Sequence, residues 1–161
     1  MLHHDPHVRL KKPILIAAWP GMGQVAMKVV RHLKDALKAR IFAELEPENY
    51  FYHTDVRVDN GIVTLPDLPH GKFYYWKNDE GEHDLVFFIS DLQPPPEHSF
   101  VYAEKILNFV GSLNVKQVIT CAALLTTVDY MVRPQVFFQH LQDGQGSAGI
   151  VHLGCEKRDL A

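Results

Sequence analysis

Short apolar runs alternate with segments of helical periodicity along this chain, and that order excludes most fold classes. The run from Pro13 to Ala18 is bounded by two lysines and a Pro-Gly pair, which is typical of a buried strand. From Gln24 to Ala39 apolar residues recur every three or four positions with charged residues between them, which predicts an amphipathic helix. A strand that leads directly into a helix indicates an α/β layer fold.

The same alternation continues as far as residue 124. A second amphipathic helix is predicted between Glu97 and Leu113. The remaining predicted elements are strands at 40–45, 72–77, 83–90 and 115–124 and a hairpin over 55–65 that turns at Asn60-Gly61. Because strands joined through helices pair in parallel, we expect a mainly parallel central sheet.

Composition and charge restrict the compartment and the partners. The 161 residues, of which 47% are hydrophobic, suffice for one domain with its own core. No apolar run approaches the roughly 20 residues of a membrane helix, and the polar start of the chain does not resemble a secretory signal, so we expect a cytoplasmic protein without a membrane partner. A net charge of -3 offers no excess of positive charge for nucleic acid.

The turn after the first strand has the spacing of a dinucleotide-binding loop. Gly21, Gly23 and Ala26 fall on a strand-to-helix junction, where a helix N-terminus offers unpaired N–H groups to a phosphate. Glu44 and Glu46 follow about 20 residues later, at the place of a ribose-binding acid. These four positions, Gly21, Gly23, Glu44 and Glu46, define a nucleotide-binding alternative.

The residues around these glycines favour a structural turn instead. Pro20 has no N–H to donate, and bulky Trp19 and Met22 stand where a pyrophosphate needs close approach of the backbone. We therefore interpret the turn as structural, with a positive φ expected at Gly21. The turn comprises Trp19, Pro20, Gly21, Met22 and Gly23.

Other polar clusters carry no catalytic or metal-binding motif. The histidines of "HHDPH" (residues 3–7) lie in a polar N-terminal segment without neighbours to hold their geometry, so we expect no metal site there. The chain has no HExxH, paired CxxC or GxSxG motif, so we assign no catalytic residue and no cofactor.

Aromatic residues concentrate in "FYYW", residues 73–76. Side chains alternate across a strand, so Tyr74 and Trp76 share one face, opposite Phe73 and Tyr75. Packing in the core is one interpretation. The other is a protein interface, where aromatic residues are common anchors, and we expect Tyr74 and Trp76 to contribute to self-association.

Five linked motifs resemble the proteasome assembly chaperone family over about residues 13–125. They are "LIAAWPGMGQVA", "AELEPENYF" (43–51), "FYYWK" (73–77), "HDLVFFISDLQP" (83–94) and "LNVKQVITCAAL" (113–124). The resemblance implies a three-layer α/β/α domain similar to the nucleoside-phosphorylase core, in proteins that bind partners and oligomerise. It supplies no catalytic residue, although some relatives carry labels as ATP-grasp ligases, which is the enzymatic form of the nucleotide alternative.

The resemblance also divides the chain. We expect a flexible tail over 1–12, the α/β domain over 13–136 and a divergent, flexible segment over 137–161, where three glycines fall within "QDGQGSAG". Family members that dock on the proteasome do so through a C-terminal hydrophobic-tyrosine tail. This chain ends in Asp159-Leu160-Ala161, so we expect a non-enzymatic, oligomerising protein-binding domain without that docking mode.

Overall fold

The computed structural model describes residues 2–48, 50–53, 56–123, 136–142 and 145–151, in two units, Met1–Leu124 and Leu125–Ala161. Two helices belong to the first unit, α1 (Val25–Ala36) and α2 (Pro96–Ser112). Its strands are β1 (Leu2–His4), β2 (Ile14–Ala18), β3 (Arg40–Leu45), β4 (Arg57–Asp59), β5 (Ile62–Thr64), β6 (Gly71–Trp76), β7 (Leu85–Ser90) and β8 (Gln117–Thr120).

In the second unit, β9 (Val136–Gln142) and β10 (Gln145–Val151) form an antiparallel hairpin. Val136 pairs with Val151 at one end, and Gln142 pairs with Gln145 at the other. The predicted boundary between 136 and 137 stays a prediction. Within residues 1–12, predicted as a flexible tail, Leu2–His4 form β1 beside β3.

Six strands of the first unit form one mixed sheet in the order β1-β3-β6-β7-β2-β8. β2 lies parallel to both β7 and β8, whereas the β1–β3, β3–β6 and β6–β7 pairs are antiparallel. The α/β class is confirmed, and the expected mainly parallel pairing is corrected to a mixed one. The physical reason is the chain between β3 and β6, whose described residues form a hairpin and no crossover helix, so β6 returns antiparallel.

The helices cover opposite faces of this sheet, which confirms the three-layer arrangement. Alternate residues of β2 and β7 point to opposite sides, as the pleat of a strand requires. On one side α1 buries Ala26, Met27 and Val30 against Ile16, Ala18, Phe87 and Ile89. On the other side α2 buries Tyr102, Ile106, Phe109 and Val110 against Leu15, Ala17, Phe73, Val86 and Phe88.

An aromatic cluster joins α2 to the centre of the sheet. The ring of Phe73 lies 4.7 Å from that of Phe88 and 4.8 Å from that of Phe109, centroid to centroid. Phe42 of β3 lies 6.0 Å from Phe109. Rings at these separations bury large apolar areas and add pairwise attraction, so the cluster fixes α2 over β3, β6 and β7.

Asp84 is a structural carboxylate at the start of β7. It is buried, and its two oxygens accept hydrogen bonds from the backbone N–H groups of Lys11 (2.6 Å) and Asn78 (2.9 Å). Backbone hydrogen bonds also join Asp84 to Lys11 and to Ile14. The carboxylate therefore satisfies two loop amides where β2 and β7 begin, which is a folding role.

Gly71 permits the close approach of α2 to the start of β6. A Cβ atom at residue 71 would lie 2.7 Å from the Tyr102 hydroxyl oxygen and 2.9 Å from the Phe88 ring. The Tyr102 hydroxyl lies 3.2 Å from the Ser90 Oγ, to which it donates a hydrogen bond. Burial raises the pKa of Tyr102 to about 12, since the ionised ring would lose its hydration.

We predict that Gly71→Ala destabilises the fold by about 1–3 kcal/mol, because the new methyl group overpacks a filled site. Gly111→Ala is the control, since residue 111 lies within α2 and a Cβ there has open space around it. The control gains up to about 1 kcal/mol from helix propensity. Denaturant unfolding of both variants measures the difference, and equal stability of the two would contradict this packing account.

Candidate functional site

An open cleft of about 940 Å³ lies at the edge of the sheet where β3 and β7 end and β6 begins. Open α/β sheets commonly bind ligands outside the carboxyl ends of their parallel strands, which is where β3 and β7 end. Prolines and leucines form much of the wall. The lining residues are Glu44, Pro47, Glu48, His53, Leu65, Pro66, Asp67, Leu68, Pro69, His70, Lys72, Asp91 and Leu92.

Two of the cleft carboxylates lie close to basic side chains. The Glu44 Oε1 lies 2.7 Å from the His70 Nδ1, a short contact that lacks the alignment of a hydrogen bond. The Asp91 Oδ1 accepts a 2.8 Å hydrogen bond from the Arg31 Nη2. All four side chains are partly exposed to solvent, where such pairs contribute about 0–1 kcal/mol. These two contacts modify the charge of the surface. Neither of them brings two carboxylates together to share a proton.

A protruding hairpin, β4 with β5, borders the cleft; we call residues 56–65 the hairpin arm. Val58 pairs with Val63 across the hairpin, and Asp59 pairs with Ile62. The period-two pattern of strands then puts Val56, Val58, Val63 and Leu65 on one face. The exposed fractions of these side chains lie between 60% and 65%.

The hairpin arm carries more exposed apolar surface than its own pairing can cover. Its two strands form a separate sheet, and a lone two-stranded hairpin is marginally stable in water. Leu65 belongs to both the arm and the cleft wall, near exposed Leu92. Leu65 therefore links the apolar face of the arm to the cleft wall, and exposed apolar patches mark protein contacts.

The glycine turn is closed by hydrogen bonds within itself. The Gln24 N–H donates to the Gly21 carbonyl at 2.9 Å, and the Val25 N–H donates to the Met22 carbonyl. Two amides at the start of α1 are thus already paired and do not face a ligand. The Gln93 Nε2 also donates to the Pro20 carbonyl at 2.6 Å, which ties the turn to the segment after β7.

The sequence that forms these elements matches a known protein family. The model of the PAC2 family matches residues 15–153. The chain belongs to the PAC2 family. This confirms the resemblance to proteasome assembly chaperones on which the α/β/α expectation rested. No curated protein sequence matches the chain.

Solved structures share this PAC2 fold. Pyrococcus furiosus PbaB, an archaeal proteasome activator, is 31% identical with a TM-score of 0.60, over 73% of this chain and 48% of PbaB. A PAC2 family protein of Streptomyces avermitilis is 25% identical with a TM-score of 0.65, over 81% and 57% of the two chains. A Mycobacterium tuberculosis proteasome-assembly chaperone homologue, 21% identical with a TM-score of 0.64 over 79% and 56%, shares the fold.

This PAC2 chain therefore spans about half the length of its solved relatives. Within the part that the structure describes, no helix is long and apolar enough to cross a membrane. The same part contains no group of three histidine, cysteine or carboxylate side chains suited to a metal ion. His3 of the "HHDPH" segment instead contacts Glu46, with 2.6 Å between Nε2 and Oε1.

The four residues of the nucleotide alternative are not brought together. Glu44 and Glu46 belong to β3 and its end, and β6 and β7 separate β3 from the strand that leads into the glycine turn. Three strand spacings amount to about 14 Å. In a dinucleotide-binding unit the acid follows the neighbouring strand, so the PAC2 topology removes the geometric basis of this alternative.

Tyr74 and Trp76 lie on the α1 face of β6, as alternation predicted, and Phe73 lies on the α2 face. Both side chains are half-buried against the α1 cluster, and the Lys34 Nζ sits 5.1 Å from the centre of the Tyr74 ring. This packing agrees with the core interpretation. Their role in self-association stays a prediction.

The sequence predicted the hairpin over 55–65 but gave no functional role to its apolar face. The alternation in "VRVDNGIVTL" already predicts an apolar face. An apolar face on a strand usually packs on the core, and only the sheet topology shows that this hairpin pairs with no other described strand. One sequence feature could have indicated this exposure: no predicted helix lies next to the hairpin in the chain to cover its apolar face.

We predict that Gly23→Ala destabilises the protein by about 1–2 kcal/mol and Gly21→Ala leaves it unchanged. The left-handed conformation expected at Gly21 is found at Gly23, with φ of +61°, whereas Gly21 is extended with φ of -155°. The extended backbone suits any residue, and a Cβ at 21 meets open space. Thermal unfolding of both variants checks this, and a larger loss for Gly21→Ala would refute the structural assignment.

Proposed function

We propose that this chain is a non-enzymatic protein-binding domain that engages a proteasome particle or its subunits. The observation that carries the proposal is the hairpin arm, whose apolar face has no partner among the described residues of the chain. Membership of the PAC2 family supports the choice of partner, since PbaB, 31% identical over 73% of this chain, is an archaeal proteasome activator.

The energetic argument starts from the four aliphatic side chains of the arm. Fully burying one such side chain contributes roughly 1.5–3 kcal/mol, and all four are more than half exposed. Their sum is offset by the loss of rigid-body freedom and of side-chain entropy on binding. A surface with this content supports a specific but reversible protein contact, which is what an assembly factor needs.

The cleft adds a charge preference to this contact. Four carboxylates line the cleft, those of Glu44, Glu48, Asp67 and Asp91, together with Lys72 and two histidines. Arg31 pairs with Asp91, so the negative charge of the cleft comes mainly from the other carboxylates. A partner segment with apolar and basic side chains would match both the leucine-rich wall and the carboxylates. Complementary charge of this type raises the association rate and selects the partner more than it adds affinity.

Self-association and a cytoplasmic location belong to the same proposal. The PAC2 relatives include a proteasome-assembly chaperone homologue, which supports a role in multi-protein complexes. Tyr74 and Trp76 remain the predicted contacts, and both side chains are partly exposed. The number of copies in the assembly follows from mass measurements in solution.

We predict that Val63→Asp weakens binding to purified archaeal proteasome, while Ile62→Asp retains it. These neighbours are equally exposed, at 64% and 66%, but point to opposite faces of the arm. A carboxylate inside an apolar contact is desolvated without a partner, which weakens binding by at least about tenfold. Co-sedimentation with proteasome measures the bound fraction.

The unfolding temperatures of both variants are measured as well, because Ile62→Asp places its carboxylate opposite Asp59 whereas Val63→Asp places its carboxylate opposite Val58. Equal unfolding temperatures establish that the arm change is local. Equal loss of binding in both variants, or unchanged binding in Val63→Asp, would show that the arm face is not the contact surface.

A further inference from the structure

The tip of the hairpin arm is an Asn-Gly pair. Asn60 and Gly61 form the whole loop, since Asp59 pairs with Ile62 directly beside them. Their φ angles are +50° and +81°, and both residues are exposed. Positive φ at both positions is the signature of a type I′ turn, which Asn-Gly adopts readily. This turn sets the register of β4 against β5.

Asn-Gly is also the pair in which an asparagine side chain reacts most readily with its own backbone. The backbone nitrogen of the next residue attacks the side-chain carbonyl carbon, and a glycine has no side chain to hinder the approach. Asn60 is the only one of the five asparagines of the chain that a glycine follows. The described residues offer its side-chain amide no hydrogen bond that would hold it away from that nitrogen.

Two other asparagines show what restrains this reaction. The Asn78 Oδ1 accepts a 2.9 Å hydrogen bond from a backbone N–H, so its side chain is held. Asn114 has a positive φ of +63°, but the β-branched Val115 follows it, and the Val115 N–H donates to the Val110 carbonyl at 3.1 Å. Within the part of the chain that the structure describes, the tip of the arm has neither restraint.

Opening of the arm lets the reacting atoms meet. A five-membered ring must form between the Asn60 Cγ and the Gly61 nitrogen, which requires backbone freedom that a paired turn restricts. β4 and β5 form a separate two-stranded sheet, and a hairpin of this kind is marginally stable. Local opening of a unit with few buried contacts costs little free energy, so the reactive conformation is accessible from the folded protein.

We infer that Asn60 is a site of spontaneous deamidation, and that the isoaspartate it yields inactivates the hairpin arm. The Gly61 nitrogen bonds to the Asn60 Cγ, the Cγ–Nδ2 bond breaks, and ammonia leaves with the proton of the Gly61 N–H. Water then opens the ring at either of its two carbonyls. One product is aspartate, and the other is isoaspartate, whose main chain runs through the side-chain carbon.

The two products act differently on the arm. Aspartate suits a type I′ turn as asparagine does. Isoaspartate adds one carbon to the main chain between β4 and β5, and a two-residue loop has no slack for it, so the pairing of Val58 with Val63 is lost. The apolar face of the arm is then no longer assembled. The loss of binding rests on the proposed function of the arm, whereas the reaction at Asn60 does not.

The reaction is tested by incubating the purified chain at mildly alkaline pH and following each asparagine by peptide mass spectrometry, with an isoaspartyl methyltransferase to label isoaspartate. Conversion at Asn60 is expected to be at least about tenfold faster than at Asn78 and Asn114, a difference of about 1.4 kcal/mol in activation free energy. Asn60→Gly is the matched control, because Gly-Gly also forms a type I′ turn and has no side-chain amide to lose. Equal rates at the three asparagines would overturn the inference.

The effect on the arm is measured separately, by methyl NMR and by co-sedimentation with purified archaeal proteasome. In aged wild type the methyl signals of Val58 and Val63 should shift in proportion to the isoaspartate formed, and the bound fraction should fall with them. Aged Asn60→Gly and fresh Asn60→Asp should keep both. Isoaspartate that leaves the two methyl signals unchanged would overturn the inactivation. Fresh wild type that does not bind, while Asn60 converts and the signals shift, would support the inference and refute the proposed function.

Discussion

The packing of α2 onto the centre of the sheet is the interaction on which the rest of the molecule depends. Phe73, Phe88, Phe109 and Tyr102 meet there, and Gly71 leaves the space that Tyr102 occupies. Because this cluster joins β6 and β7 to α2, it fixes the edge at which β6 begins and β7 ends. The candidate cleft is built at that edge, and the hairpin arm enters β6 from it. The proposed binding surface is therefore positioned by the core, although the arm contributes little to that core.

The site has the physical properties of a protein contact. Asp91 is paired with Arg31, and Glu44 lies against His70. The Gln24 and Val25 amides are bonded to carbonyls of the glycine turn, and the arm exposes four aliphatic side chains. Binding requires only complementary surface, which the arm and the cleft wall supply together. Membership of the PAC2 family agrees with the proposed role in protein binding.

Much of the fold was predictable because its strands and helices have strong periodicity. The strand at 14–18, both helices and the aromatic strand near 73–76 were found within a few residues of their observed bounds. The direction of β6 was missed, although the hairpin predicted over 55–65 lies between β3 and β6 and leaves no crossover helix among the described residues there. The spacing of the glycines suggested a phosphate-binding loop. In the structure the Gln24 and Val25 amides donate instead to the Gly21 and Met22 carbonyls. The arm was missed because exposure of Val58 and Val63 depends on which strands pair, and sequence periodicity does not report that.

The central claim is that the apolar face of the hairpin arm is where a protein partner binds. Methyl NMR of valine- and leucine-labelled protein, titrated with purified archaeal proteasome, tests it without any substitution. The methyl signals of Val56, Val58, Val63 and Leu65 should lose intensity first, because contact with a large particle broadens the groups at the interface. Val29 lies on α1, away from the arm, and should keep its intensity longest. Loss of intensity that begins at Val29 and leaves the four arm residues unchanged would contradict the account.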